Sequence, residues 1–97
     1  MTASSVLSTT SIGVGFDTAR YGHHVTFLDQ NRQIVSRPFG FRESQEGYEQ
    51  VRSAFNGLVE KYGNVHFHIR VDAAGQYAAN LLRYLHTLPF EKTISSH

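Results

Sequence analysis

The first third of the chain alternates apolar and polar residues with the two-residue period of β-strands. Residues 12–17 alternate strictly, and residues 24–28 and 33–37 are rich in β-branched and aromatic side chains. Such segments are typical of strands. Because only short polar turns separate them, the pattern predicts a three-stranded antiparallel meander. Pro38 cannot donate a ladder hydrogen bond, which predicts that the third strand lies at a sheet edge or ends there.

The spacing then changes from that of a strand to that of a helix. Apolar residues recur at helical spacing over 48–62 and predict an amphipathic helix, with Ser44 as its N-cap and Gly63 as its stop. Residues 65–72 alternate again as a strand, and a stripe of leucines follows until Pro89 ends it. Residues 93–95 are a candidate last strand. The predicted order is β-β-β-α-β-α, with a fifth strand left open.

This order predicts an α/β fold with a mixed sheet and helices packed on it, since strand–helix–strand units form parallel pairs through right-handed crossovers. The architecture in which an antiparallel meander precedes alternating helices and strands is the ribonuclease H-like fold. In that fold the first and fourth strands are parallel neighbours, about 4.8 Å apart. Asp17, at the end of the first strand, would then lie beside Asp72, at the end of the fourth.

Two carboxylates that meet on a rigid sheet are a typical ligand pair for Mg²⁺ or Mn²⁺ in phosphoryl-transfer chemistry. Asp17 and Asp72 are therefore the candidate metal ligands. For either residue alone, a helix cap or a solvated turn residue is the simpler interpretation.

Composition limits the function classes. The chain has 97 residues, enough for one domain, and its 40% apolar content is that of a globular protein. A net charge of +1 is too small to indicate nucleic-acid binding by itself, and the lack of cysteine excludes disulfides and thiolate zinc sites. We expect residues 1–10, rich in Ser and Thr, to be a disordered lead-in rather than a signal peptide, and 11–97 to be the domain. No apolar run approaches the roughly 20 residues of a membrane span, so we expect a cytoplasmic protein.

Two motifs give the chain a resemblance to a known family. Gly15-Phe16-Asp17-Thr18-Ala19-Arg20 is similar to a first-strand signature Gly-x-Asp-x-[Ser/Ala]-[Lys/Arg]. Asp72-Ala73-Ala74-Gly75-Gln76-Tyr77, followed by leucines at helical spacing, is similar to Glu-Ala-[Thr/Ser]-Gly-x-Tyr. Both signatures belong to the N-terminal, RuvC-like domain of the DEDD-type insertion-sequence transposases, and the resemblance extends from Ile12 to Ser95.

The resemblance implies a metal-dependent phosphoryl transfer on DNA. Asp17 and Asp72 would be catalytic residues and ligands of Mg²⁺ or Mn²⁺, and Arg20 would contact a phosphate. Arg70, on the same strand face as Asp72, is a second candidate for nucleic-acid contact. The expected partners are DNA and, in some members, a guide or structural RNA, with a homo-oligomer left open.

Two departures from the family pattern bear on activity. The family has Glu where this chain has Asp72, and the carboxylate is shorter by one C–C bond, about 1.5 Å. The family's remaining ligands, an Asp-x-x-Asp pair, and its C-terminal domain with a nucleophilic Ser do not occur in this sequence. We therefore expect an incomplete enzyme, truncated before its last elements.

Three other interpretations stay open. The first subdomain of an actin-like sugar kinase or ATPase also begins with a Gly-x-Asp strand, although Gly and Thr usually follow that Asp. A non-catalytic interaction module is the second. The third is a zinc site at His66 and His68, which lie on one strand face and would need a third ligand from His23, His24 or Asp72. For this pair, polar residues on the less buried face of a sheet are the simpler interpretation.

Overall fold

A computed structural model of the chain describes residues 9–72 and 75–96. These residues form a mixed sheet of five strands, two α-helices and one 3₁₀ turn before the second helix. The strands are β1 (Thr10–Asp17), β2 (His23–Leu28), β3 (Ile34–Phe41), β4 (Val65–Asp72) and β5 (Lys92–Ser96), the helices are α1 (Gln45–Tyr62) and α2 (Ala79–Thr87), and the turn is Gly75–Ala78. Residues 1–8 of the predicted lead-in lie outside the described residues. Ala73 and Ala74 of the second motif also lie outside them.

The strands follow the order β3-β2-β1-β4-β5 across the sheet. The pairs β1–β2 and β2–β3 are antiparallel, whereas β1–β4 and β4–β5 are parallel. The predicted meander, the predicted adjacency of the first and fourth strands and the candidate fifth strand are therefore confirmed. The chain is an α/β protein with a mixed sheet.

The third strand is longer than the sequence pattern predicted. It passes through Pro38 and continues to Phe41 instead of ending at Arg37. This is compatible with proline because β3 is an edge strand of the sheet, where the missing N–H need not take part in a ladder. The part of the prediction that placed this strand at an edge is confirmed.

Helix α1 has the ends that the sequence predicted. The hydroxyl of Ser44 accepts a hydrogen bond from the N–H of Gly47 at 3.0 Å. At the other end Gly63 has a φ of 83° and donates its N–H to the carbonyl of Val59. Glycine suits this position because other residues are strained at positive φ.

The core lies between both helices and one face of the sheet. Alternate residues of β1, β2 and β4 are buried in the same cluster as the apolar stripes of α1 and α2. Complete burial of a large apolar side chain stabilises the fold by about 1.5–3 kcal/mol. The side chains with no exposure include Ile12, Phe27, Phe55, Phe67, Leu81 and Leu85.

The opposite face of the sheet carries polar and charged residues and is left open by the described part of the chain. On β4 the exposed residues of this face are His68, Arg70 and Asp72, and on β1 they are Gly15 and Asp17. Successive side chains of a strand point to opposite faces of the sheet. The alternation of apolar and polar residues therefore produces both the buried core and this open face. Within the described residues, neither helix has the length and apolar character to cross a membrane.

Candidate functional site

The two acidic residues singled out by the sequence are direct partners in the sheet. In the parallel register of β1 and β4, Asp17 pairs with Asp72, and on the other side of β1 it pairs with His24. Both aspartates are exposed on the open face. Since paired strands are about 4.8 Å apart, the two carboxylates are within reach of one cation.

A buried hydroxyl holds these two strand ends in register. Thr18 is only 5% exposed, and its hydroxyl donates a 2.8 Å hydrogen bond to the backbone carbonyl of Asp72. The bond joins the residue that follows Asp17 to the neighbouring strand. Thr18 belongs to the first motif, but the sequence predicted no role for it, because its partner Asp72 is 54 residues further along the chain.

The aspartates border a shallow depression of about 280 Å³ on the open face. A Cβ added to Gly15 would meet no atom within 4 Å, so this glycine leaves open space rather than room for a close backbone. The other polar residues of the depression are His24, Thr26 and Arg70. Arg70 therefore supplies a cation beside the two carboxylates.

The donor chemistry of this depression fits a hard divalent cation, but the donor set is incomplete. Carboxylate oxygens are the ligands that Mg²⁺ prefers, and Asp17 and Asp72 supply them side by side. In residues 9–72 and 75–96 there is no group of three or more His, Asp or Glu arranged to hold a metal. The two aspartates by themselves offer fewer ligands than a bound divalent cation takes.

A larger pocket of about 540 Å³ surrounds the turn between β1 and β2. We call it the turn pocket, and its lining residues are Ala19, Arg20, Tyr21, Gly22, His23, Arg42, Glu43 and Tyr77. The ring of Tyr21 is 81% exposed, and the Arg20 guanidinium carbon lies 5.2 Å from its centroid. Arg20 therefore belongs to this pocket and Arg70 to the aspartate depression. The sequence pattern gave Tyr21 and Arg42 no role and identified Tyr77 only as the last residue of the second motif; Tyr77 is 36% exposed.

A hydrogen-bond network beneath the turn pocket fixes its walls. His23 is buried, and its Nδ1 accepts the N–H of Ala19 at 3.3 Å. The proton is therefore assigned to Nε2, which donates to Glu43 Oε1 at 3.3 Å. The other carboxylate oxygen of Glu43 accepts from the Asn80 side chain at 3.2 Å. The network connects the β1–β2 turn to the end of β3 and to helix α2.

The zinc interpretation of the His-x-His pair is not supported. His66 and His68 share the open face with ring centroids 4.6 Å apart. His66 contacts Thr93 Oγ1 at 2.8 Å and Glu91 Oε1 at 3.6 Å. The suggestion that His23 supplies the third ligand was wrong, because His23 lies on the buried face of the sheet and contacts Glu43. His66 is half-buried and His68 is exposed, as the simpler interpretation predicts for the less buried face of the sheet.

No protein-family model matches the chain, and no curated protein matches it either. A function for this chain is therefore inferred from the sheet topology and from the two sites on its surface.

Proposed function

We propose that this chain is the ribonuclease H-like part of a DNA transposase or recombinase, with Asp17 and Asp72 as metal ligands. The observation that carries the proposal is the register pairing of these residues on parallel neighbouring strands. The ribonuclease H-like fold requires this adjacency of its first and fourth strands, and the strand order β3-β2-β1-β4-β5 agrees with it. The proposal includes DNA as the partner and a cytoplasmic location.

In the depression bordered by Asp17 and Asp72, some residues would bind the metal and another would bind the DNA. Asp17 and Asp72 would hold Mg²⁺ or Mn²⁺, which supplies polarisation of a phosphate ester and a lower pKa for an attacking water. Arg70, beside them, would bind a phosphate oxygen and orient the DNA backbone. The resemblance implies two further carboxylate ligands after the fifth strand. The proposed activity therefore requires those two ligands in addition to Asp17 and Asp72.

The ATPase alternative is less well supported. In that class a hydroxyl or amide group after the strand contacts phosphate. Here Thr18 is buried, and its hydroxyl is already donated to the carbonyl of Asp72. Thr18-Ala19-Arg20 follows Asp17, where the alternative would usually have Gly and Thr.

A Mn²⁺ titration followed by electron paramagnetic resonance tests the metal ligands. We expect weak binding that Asp17→Asn and Asp72→Asn each reduce by at least about tenfold, since each removes one charged oxygen ligand. Asp29→Asn is the matched control. It makes the same change in the β2–β3 turn, where Oδ1 accepts N–H groups that an amide oxygen also accepts. Equal affinities for the wild type and all three variants would refute the site.

The same Mn²⁺ titration can also test the length of the side chain at position 72. Asp72→Glu restores the residue that the family has there and extends the reach by about 1.5 Å. We expect this variant to bind Mn²⁺ at least as tightly as the wild type. Loss of binding in Asp72→Glu would argue against the alignment of this position with the family's glutamate.

A further inference from the structure

The turn pocket combines two cations with two exposed aromatic rings. Arg20 and Arg42 provide guanidinium groups, and Tyr21 and Tyr77 provide rings, all bordering one cavity. An aromatic ring is a stacking surface for a nucleobase, and arginine pairs with phosphate through parallel N–H donors. The volume of about 540 Å³ lies within the range of about 300–1,000 Å³ that is usual for small-molecule sites.

The positive charge of the turn pocket is available to a ligand. Glu43 is its one acidic residue, and both of its oxygens are used by His23 and Asn80. In the part of the chain that the structure describes, neither Arg20 nor Arg42 forms an ion pair. Glu43 keeps its negative charge in these hydrogen bonds, so two arginines and one glutamate leave an excess of one positive charge that attracts an anion.

We propose that the turn pocket binds one nucleotide of an unpaired DNA strand. The base would stack on the ring of Tyr21 or Tyr77, and Arg20 and Arg42 would hold the adjoining phosphate. Bases in a duplex have no free face for such stacking, so an unpaired strand is favoured. This inference rests on the proposed function and extends it, because the pocket starts at Ala19, two residues after Asp17 at the same end of β1. A strand held there would continue towards the two aspartates.

Fluorescence anisotropy with a labelled thymidine oligonucleotide tests the proposal, with the whole chain in buffer that contains EDTA. We expect Tyr21→Ala to weaken binding about fivefold or more, the size of one base–aromatic stack. Arg20→Gln and Arg42→Gln should weaken it too, and each should reduce the dependence of log K on log salt by about 0.7. These residues are exposed, so the variants should fold.

Arg32→Gln is the matched control, because Arg32 lies in the β2–β3 turn at the opposite end of the sheet. It should not change binding. A duplex of the same length should bind more weakly than the single strand. If all variants bind as the wild type does, or if the duplex binds as tightly, the proposal is wrong. If free thymidine monophosphate binds as tightly as the oligonucleotide, the ligand is a free nucleotide and the strand assignment is wrong.

The metal-free buffer separates this inference from the proposed metal site. Asp17→Asn should not weaken binding of the oligonucleotide in EDTA. Because Asp17→Asn removes a negative charge that repels phosphate, a clear gain in affinity in this variant, with no loss in Tyr21→Ala or Arg20→Gln, would mean that the strand is held at the aspartates and would overturn the turn pocket as its site. If Asp17→Asn loses Mn²⁺ binding but keeps binding of the oligonucleotide, the turn pocket is supported as the DNA site.

Discussion

At the scale of single residues, two glycines of helix α1 have opposite roles. A Cβ on Gly47 would overlap the backbone carbonyl of Arg42, whereas a Cβ on Gly57 would meet no atom within 4 Å. Gly47 therefore allows the first turn of α1 to lie against the segment that leaves β3. That segment carries Arg42 and Glu43, so this glycine also positions one wall of the turn pocket.

The same substitution at these two positions should change stability in opposite directions. We expect Gly47→Ala to lower the free energy of unfolding by about 1–3 kcal/mol, the usual cost of overpacking. Gly57→Ala, on the exposed surface of the same helix, should raise it by about 0.5–1 kcal/mol because alanine loses less backbone entropy. Urea denaturation followed by circular dichroism measures both values. Similar effects at the two positions would contradict the predicted contact with Arg42.

At the scale of elements, the decisive pair is β1 with β4. Backbone hydrogen bonds align eight residues of each strand, from Thr10 with Val65 to Asp17 with Asp72. Thr18 adds a side-chain bond at the end where the aspartates lie. We therefore expect the position of the candidate metal ligand Asp72 to depend on a neutral residue that bonds to its backbone and not to its carboxylate.

Replacement of that hydroxyl should therefore affect both stability and metal binding. Thr18→Val leaves the Asp72 carbonyl without its buried donor, and we expect it to lower the free energy of unfolding by about 1 kcal/mol. It should also weaken Mn²⁺ binding, although neither aspartate is changed. Thr10→Val, at the opposite end of β1 from Asp17, is the control and should change neither value, because valine suits a strand. Unchanged Mn²⁺ affinity in Thr18→Val would show that the hydroxyl does not position the aspartates.

At the scale of the whole molecule, a pair of tyrosines joins the two helices on the covered face of the sheet. The rings of Tyr48 and Tyr84 are stacked with centroids 4.5 Å apart, and the Tyr84 hydroxyl donates to the backbone carbonyl of Tyr48. The Tyr48 hydroxyl is buried and finds no hydrogen-bond partner in the described residues. Burial, with a smaller effect of the Glu43 charge, raises the pKa of Tyr48 to about 12.

This raised pKa predicts a loss of stability in alkaline solution. The unfolded chain loses the Tyr48 proton near pH 10, before the folded chain does. The contribution of Tyr48 is therefore complete below about pH 10 and declines as the pH rises through the folded pKa of about 12. Tyr48→Phe should show a smaller decline and should be at least as stable near pH 7, since it removes an unsatisfied hydroxyl. Urea denaturation at pH 8 and pH 11 compares the two proteins, and parallel declines would contradict the prediction.

The local pattern was enough for most of the elements and for placing Asp17 and Asp72 at strand ends, whereas their adjacency was expected from the fold that the element order predicted. Alternation identified β1 and β4, and Ser44 and Gly63 identified the ends of α1, because strand pleating and helix capping depend on neighbouring residues. Asp17 and Asp72 were found for the same reason, since each ends a strand. The pattern failed at β3, where proline is tolerated only because the strand lies at the sheet edge.

The sequence by itself determined which residues form strands and helices and which strand faces are polar, because those properties have a short period along the chain. Tertiary structure decided that both helices cover one face and leave the other open. It also decided that Tyr21, Arg42 and Tyr77, which are far apart in the sequence, border one pocket, and that Thr18 bonds to Asp72. These contacts depend on the strand order β3-β2-β1-β4-β5, which joins residues whose separation along the chain carries no local signal.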